Sequence, residues 1–298
     1  MISIIVCSIN SDLFKTLSNS IKSTIGLEYE IIKIDNTVEK LSIAQAYNNG
    51  ASRAKFEILV FVHEDIVFHT VDWGKILISH FKNLENPGVL GIAGSTYLPI
   101  APSDWYLPDK LYIRMNILEN RNDTEVGKGI HRKHSNNISE KVYVLDGVFL
   151  VILKEVFTQF RFDENLKGFH GYDTSLTLRV SNSFNNYFIP DILIEHFSTG
   201  QPKSSWLENT IQAKSSFIKD STSFSINKEL EEKSFHLFLN NLRKFGKDYA
   251  FKVKNSYHSF LTINKNFISF KTVFVFLVYQ ILFIQDVFKA KIYDFKKD

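Results

Sequence analysis

Apolar and polar positions along the first two hundred residues switch between two periods. Residues 2–7 (ISIIVC) form a β-branched run that reads as a buried strand. Leu13, Leu17, Ile21 and Ile25 then recur every four residues, so 12–25 predicts a helix. A second strand is predicted over 30–34 (EIIKI), ending at Asp35-Asn36, and a second helix over 41–54. A third strand over 57–62 (EILVFV) ends at His63-Glu64-Asp65. Strand, helix, strand, helix, strand predicts a parallel α/β sheet, because parallel neighbours need a crossover. Polar residues collect at the C-terminal ends of these strands, where open α/β sheets bind ligands.

The pattern continues with a helix over 74–84 and a strand over 88–93 (GVLGIA). Between 97 and 141 it breaks down: Pro99, Pro102 and Pro108 precede a polar stretch, 119–141, with little periodicity. A long loop that closes over substrates is expected there. Residues 142–153 are strand-like but interrupted by Asp146-Gly147, 173–183 predict a helix, and a last strand over 187–195 ends at His196. After residue 200 the strands stop, and 204–219, 228–246 and 266–295 read as helices. The expected division is an α/β domain over 1–203 and a helical extension over 204–298.

Composition narrows the classes. With 298 residues, 44% hydrophobic and 22% charged, the chain can bury a core without staples. Its single cysteine, Cys7 in the first strand, excludes an internal disulfide and a Cys-based zinc site. The net charge of +3 hides an asymmetry: 19 Lys/Arg against 23 Asp/Glu up to residue 200, and 16 against 9 beyond it. The acidic part suits a cation, and the basic, aromatic tail suits an anionic surface. No nucleic-acid motif accompanies that tail, so no nucleic-acid partner is expected. Met1 runs directly into the first strand without a basic leader, which predicts a cytoplasmic location. Residues 272–285 hold 14 residues without a charge. As a helix they span about 21 Å, short of a hydrocarbon core of about 30 Å. Lys271 precedes the run, and Lys289, Lys291, Lys296 and Lys297 follow it. Two readings stay open: a helix peripheral to an anionic membrane at its inner face, or one buried against the α/β domain or a second subunit in a homo-oligomer.

Several constellations can carry chemistry. His63-Glu64-Asp65 follows a buried strand, with His63 and Asp65 on one face and Glu64 on the other by strand alternation. Acidic groups at such an edge can hold a divalent cation on phosphates, although a solvated loop has the same composition. Gly168-Phe169-His170-Gly171-Tyr172-Asp173 opens a helix, where Asp173 is either an N-cap or a general base. His196 ends a strand and could ligate a metal as a neutral imidazole. Asp146-Gly147 is either a bulge beside a ligand or a hairpin turn. Gly50, in Ala46-Tyr47-Asn48-Asn49-Gly50, costs a helix about 1 kcal/mol against alanine, and close helix–sheet packing is the expected reason.

In order and spacing, ISIIVCS, AYNNGASRA, LVFVHEDIVF, GIAGS, VLDGVFLVILKE, FRFDENLKGFHGYDTSLTLRV and IEHFSTG resemble the family 2 glycosyltransferases of the GT-A fold. The nearer resemblance is to the subgroup named after a streptomycin-biosynthesis protein. It implies a Rossmann-like, mostly parallel sheet flanked by helices, with a C-terminal helical extension. It implies a nucleotide-diphospho-sugar donor, a divalent cation (Mn2+ or Mg2+) on the diphosphate, and inverting transfer to a hydroxyl. The acceptor would be a glycan or lipid-linked glycan of bacterial surface polysaccharide or glycoconjugate synthesis. The resemblance places Ser8 and Asp35 at the nucleoside, and the donor set is completed by Asn48, His63, Glu64 and Asp65. Asp65 and His196 are the implied metal ligands and Asp173 the implied base. Asp146, Gly147 and Tyr172 lie on the acceptor side. The family's Asp-x-Asp is here His63-Glu64-Asp65, so one carboxylate is replaced by an imidazole. That substitution favours a second class, a binding module without turnover. A sugar nucleotidyltransferase, the third class, would want a glycine-rich, basic loop where Cys7-Ser8-Ile9-Asn10 stands.

Overall fold

The computed structural model describes residues 1–120, 125–134, 137–197, 204–215, 226–266 and 269–295, the stretch 290–295 by its backbone alone. The chain opens as expected, with β1 (Ile2–Ser8), α1 (Ser11–Thr24), β2 (Tyr29–Asp35), α2 (Ile43–Arg53) and β3 (Ile58–Val62). A short β4 (Ile66–Phe68), α3 (Trp73–Asn83), β5 (Pro87–Gly91) and β6 (Ala93–Ser95) follow. Next come a 3-10 turn (Lys110–Tyr112), β7 (Ile113–Glu119), β8 (Ile130–His134), β9 (Glu140–Val142), β10 (Val144–Leu145) and β11 (Phe149–Leu153). The α/β part ends with α4 (Lys154–Phe160), α5 (Tyr172–Val180), β12 (Asn185–Phe188) and β13 (Ile194–His196). Helices α6 (Ser204–Ser215), α7 (Lys228–Phe245), α8 (Tyr249–Asn266) and α9 (Phe270–Phe295) close the chain.

A seven-stranded sheet in the order β2-β1-β3-β11-β5-β12-β9 forms the centre. Its first three strands are parallel, as expected, while β11 enters antiparallel between β3 and β5, so the sheet is mixed. Its central strands are buried on both faces, which is why they read as unbroken apolar runs. Ile4 and Val6 of β1 pack with Leu17 and Ile21 of α1, while Ile5 faces Tyr47 and Ala51 of α2. Gly50 has the expected reason: a Cβ there would lie 2.3 Å from Ile5 Cγ2, so only glycine lets α2 sit this close to β1. The Ser42–Gln45 capping box starts that helix.

The expected loop over 97–141 is corrected. β7 is an interior strand of a second sheet, ordered β10-β6-β7-β13-β4, and β8 pairs with it as a hairpin arm. The signal was weak for a physical reason. Asn116 interrupts the apolar alternation of β7 and is buried by donating to the carbonyls of Pro190 and Ile192. β8 (IHRKH) is solvent-facing and polar. The predicted strand over 187–195 also divides, into β12 and β13, at Ile189-Pro190.

The helical region holds its own core of Phe235, Phe238, Leu239, Leu242, Ile263 and Phe283. Helix α8 was not expected, because its buried positions include Ser256 and Ser259 rather than a clean apolar stripe. Glu231 of α7 accepts from Tyr97 Oη (2.7 Å) and the Ile100 amide (2.9 Å), fastening this region to the segment after β6.

Candidate active site

Register builds the site. Ser8 pairs with Asp35 and Val6 with Val62, so β1, β2 and β3 finish along one edge. His63, Glu64 and Asp65 leave that edge together. β4 then runs antiparallel to β13 with Ile66 opposite His196, and the Phe197 amide donates to the Asp65 carbonyl at 2.9 Å. This pairing brings His196 to Asp65 across a long stretch of sequence. His196 Nε2 lies 3.5 Å, and His63 Nδ1 3.9 Å, from Asp65 Oδ1. The three ligand atoms lie within 4.8 Å of one another, a spacing one cation can bridge. His63 Nε2 is 2.7 Å from Tyr172 Oη, which leaves Nδ1 directed toward Asp65. Glu64 points the other way and accepts from the amides of Ile9 and Asn10, both at 3.1 Å, so it holds the β1–α1 turn.

The electrostatics divide across the cluster: Asp65 is held anionic and His63 neutral, while His196 keeps a proton that a cation would have to displace. Burial pushes the Asp65 carboxyl up, but the hydrogen bond and charge of His196 and the charge of His63 outweigh it and hold it at about 2. Burial lowers His196, and the bond to Asp65 more than reverses that, leaving it raised. His63 is lowered by burial and by His196, against the pull of Asp65, which favours a neutral, ligating imidazole.

Asp173 lies in the first turn of α5 but is not its cap: Gly171, at φ +75°, takes that position. Instead Asp173 Oδ2 accepts from the Gly147 amide (2.9 Å) and Oδ1 from the Thr174 amide (2.7 Å). Desolvation and the charge of Asp146 push its carboxyl up to about 7, against those two donors. Gly147 has no room for a side chain, because a Cβ would meet Tyr172 Oη at 2.0 Å. Asp146-Gly147 is thus a close-approach turn that joins β10 to β11 and fixes Asp173 and Tyr172.

Cavities meet at this cluster. One of about 320 Å³ runs from Cys7, Ile9 and Asn10 past Tyr47 to Glu64 and Asp65. Burial pushes the Cys7 thiol on its wall up to about 11, so it stays neutral. A second, of about 220 Å³, joins His63 and His196 to Asp146, Asp173, Asp104 and Trp206. A third, of about 550 Å³, extends from Asp104, Asp146 and His196 to Lys110, Arg132 and His134. His63, Glu64, Asp65, Asp146, Gly147, Tyr172, Asp173 and His196 thus line neighbouring cavities that share His63, Tyr172, Asp146 and His196 as walls. Ser8 is buried beside it with its hydroxyl unpartnered. Asp35 is an exposed strand end that accepts from Thr37. Asn48 stands apart, its amide used by Phe162 and Glu164 beneath α2. Ser198-Thr199-Gly200, the end of the last motif, lies outside the described residues.

Sequence reasoning missed Asp104, Trp105 and Trp206. Asp104 and Trp105 come from the stretch read as a loop, and Trp206 from α6, beyond the expected boundary at 203/204. Helix α6 is tied to the α/β part by Asn209, which donates to the carbonyls of Lys167 and His170 at 2.7 and 2.9 Å. Asp104 is pushed up to about 6 by desolvation and by Asp146, against the Tyr106 amide. The signal available was the Pro102…Pro108 bracket around Asp104-Trp105-Tyr106, two prolines enclosing a carboxylate and two aromatic rings.

A family model described as a glycosyltransferase-like family matches residues 3–221. No curated protein matches the chain at a significant level. Among solved structures, GalNAc-T7 with UDP, GalNAc and Mn2+ aligns at 12% identity and TM-score 0.48, over 72% of this chain and 47% of that one. The chain thus spans about half the length of that protein. S. aureus TarS 1-349 aligns at 16% identity and TM-score 0.48, over 83% of this chain and 72% of that one.

Proposed function

The chain belongs to this glycosyltransferase-like family, and on that premise we propose that it is an inverting, cation-dependent transferase of a sugar from a nucleoside diphosphate to a hydroxyl. The observation that carries the reading is the junction itself. A carboxylate raised to about 7, Asp173, shares a cavity with His63 and His196 of the His63/Asp65/His196 cluster. The nucleotide would occupy the cavity along the β1–α1 turn, whose shape Glu64 fixes. A divalent cation held by His63, Asp65 and His196 would neutralise charge on the leaving diphosphate. Two imidazoles with one carboxylate suit Mn2+ better than Mg2+, which prefers oxygen.

Asp173 accepts the proton of the acceptor hydroxyl. Its two backbone donors aim the carboxylate, and its raised basicity suits it to the task near neutral pH. One base and a good leaving group suffice for a single displacement, hence inversion. Trp105, Trp206 and Asp104 give the acceptor cavity aromatic faces and a further carboxylate, the means by which a sugar ring and its hydroxyls are held. We assign the acceptor to a glycan or lipid-linked glycan made at the cytoplasmic face in surface polysaccharide or glycoconjugate synthesis.

The test is a panel of nucleotide sugars with Mn2+, read by thermal shift and then by product. Asp173→Asn keeps shape and loses the proton acceptor, so transfer should fall by at least about 100-fold while donor binding survives. Near-normal transfer by the folded variant would remove Asp173 from the chemistry. Donor binding without turnover by the wild-type protein, whatever acceptor is offered, would instead support the binding-module reading that His63 suggests.

A further inference from the structure

Helix α9 is apolar on two opposite faces. Thr272, Phe276, Tyr279 and Phe283 are buried against α7 and α8, with the Phe276 ring stacked on Phe260 at 4.2 Å. On the opposite side Phe270, Phe274, Leu277, Ile281, Ile284 and Phe288 are between 42% and 85% exposed. Their spacing alternates between four and three residues, so they form one straight stripe about 27 Å long. The 20-residue stretch Phe270–Lys289 has a mean hydropathy of 1.6 and passes for a membrane span by length and composition.

The fold argues against spanning. Both ends of the apolar run are pinned to α7: Lys271 lies 3.3 Å from Glu232, and Arg243 holds Asp286 bidentately at 2.8 and 2.9 Å. Carrying α9 across a bilayer would drag Glu229, Glu232, Lys233 and Arg243 of α7 into hydrocarbon, where charges are expensive. A seam of this spacing could also zip to another helix. Two-stranded coiled coils, however, place charged residues beside the seam. Here the flanking positions are Lys271, Val273, Val278, Gln280, Gln285 and Val287, and the one charge among them, Lys271, is already paired with Glu232 of α7.

Charge selects the remaining occupant. Between residues 249 and 289 the chain carries Lys252, Lys254, Lys265, Lys271 and Lys289, and its one acid there, Asp286, is taken by Arg243. Lys271 and Lys289 flank the stripe near its two ends, and a lysine-rich stretch around an apolar ridge complements an anionic lipid surface. We propose that the outer face of α9 docks in the plane of an anionic bilayer, with the stripe in the acyl boundary and the lysines at the headgroups. The chain then binds one leaflet without crossing it. This stands whether or not the transfer reaction does, because it rests on α7, α8 and α9 and on no residue of the candidate active site.

The test is flotation of the full chain with vesicles of phosphatidylcholine plus phosphatidylglycerol, against phosphatidylcholine alone. The wild-type protein should float with the anionic vesicles at least about tenfold better than with neutral ones, and high salt should narrow that gap. Leu277→Glu/Ile281→Glu, at exposed positions, should stay folded and lose at least about tenfold in binding. Lys265→Glu/Lys289→Glu, which leaves every buried residue in place, should lose the preference for anionic lipid. Absence of flotation, or equal binding by wild type and both variants, overturns the proposal. So does a solution dimer that Leu277→Glu/Ile281→Glu dissociates without any vesicle binding, since the stripe then belongs to a second copy.

Discussion

The α/β part and the three C-terminal helices dispose of their side chains in opposite ways. In the sheet, apolar residues are buried on both faces and polar ones gather at one edge, where Glu64 and Asp173 are each held by two backbone amides. In α9, apolar residues line both faces and only one face is covered. The first arrangement makes a dry scaffold that can hold charged groups at fixed distances, which is what chemistry requires. The second leaves a surface with no internal use, which is what a docking face requires. A chain can thus carry two kinds of apolar excess, and burial, not composition, tells them apart.

The sharpest way to break that contrast is to cut both faces of one helix. Phe283→Ala on the inner face removes a ring that is 1% exposed, and should cost about 3–5 kcal/mol of folding free energy by denaturant unfolding. Leu277→Ala on the outer face, at 54% exposed, should stay within about 0.5 kcal/mol of wild type. Equal losses would mean that the outer face is covered in the isolated chain.

In the α/β part the matching probe is pH. With Asp173 raised to about 7, transfer should rise about tenfold per pH unit on the acid side and level off above that value. Bound cation shifts the break downward, since positive charge favours the carboxylate. Folding takes up a proton at this residue between its ordinary carboxyl range and about 7, so its contribution to stability declines as pH rises through that window. A pH profile flat from 5 to 8 would exclude Asp173 as the base.

A smaller effect is expected at Asp104, which holds no reacting atom. Asp104→Asn should raise the KM for acceptor by about five- to tenfold and leave kcat within about twofold. A fall in kcat alone would move Asp104 into the proton transfer.

Much of this was legible in the residues. The opening strand–helix alternation needed only periodicity, because strands buried on both faces cannot hide their apolar runs. His63, Asp65, Asp173 and His196 could be singled out as strand-end or helix-start polar residues, but their assembly could not. That depends on β4 pairing with β13, and β4 is only three residues long. Asp104, Trp105 and the β7–β8 hairpin were lost because a buried Asn116 and a polar outer strand erase alternation. The tail was half legible: its apolar run was plain, but one-sided burial depends on α8, whose inward serines give no periodic signal. Lys296 and Lys297 lie outside the described residues, so the docking face rests on the lysines up to 289.

The central claim is that His63, Asp65 and His196 form a cation-dependent diphosphate site. Calorimetric titration of a nucleoside diphosphate, with and without Mn2+, tests it most directly on wild type and Asp65→Ala. Asp65→Ala removes the one anionic ligand of the cluster. The account predicts that Mn2+ tightens binding to the wild-type protein by at least about tenfold, and that Asp65→Ala abolishes this gain while the folded protein remains intact. Affinity that is the same with and without Mn2+ in the wild-type protein, or a Mn2+ gain that survives in Asp65→Ala, would contradict it.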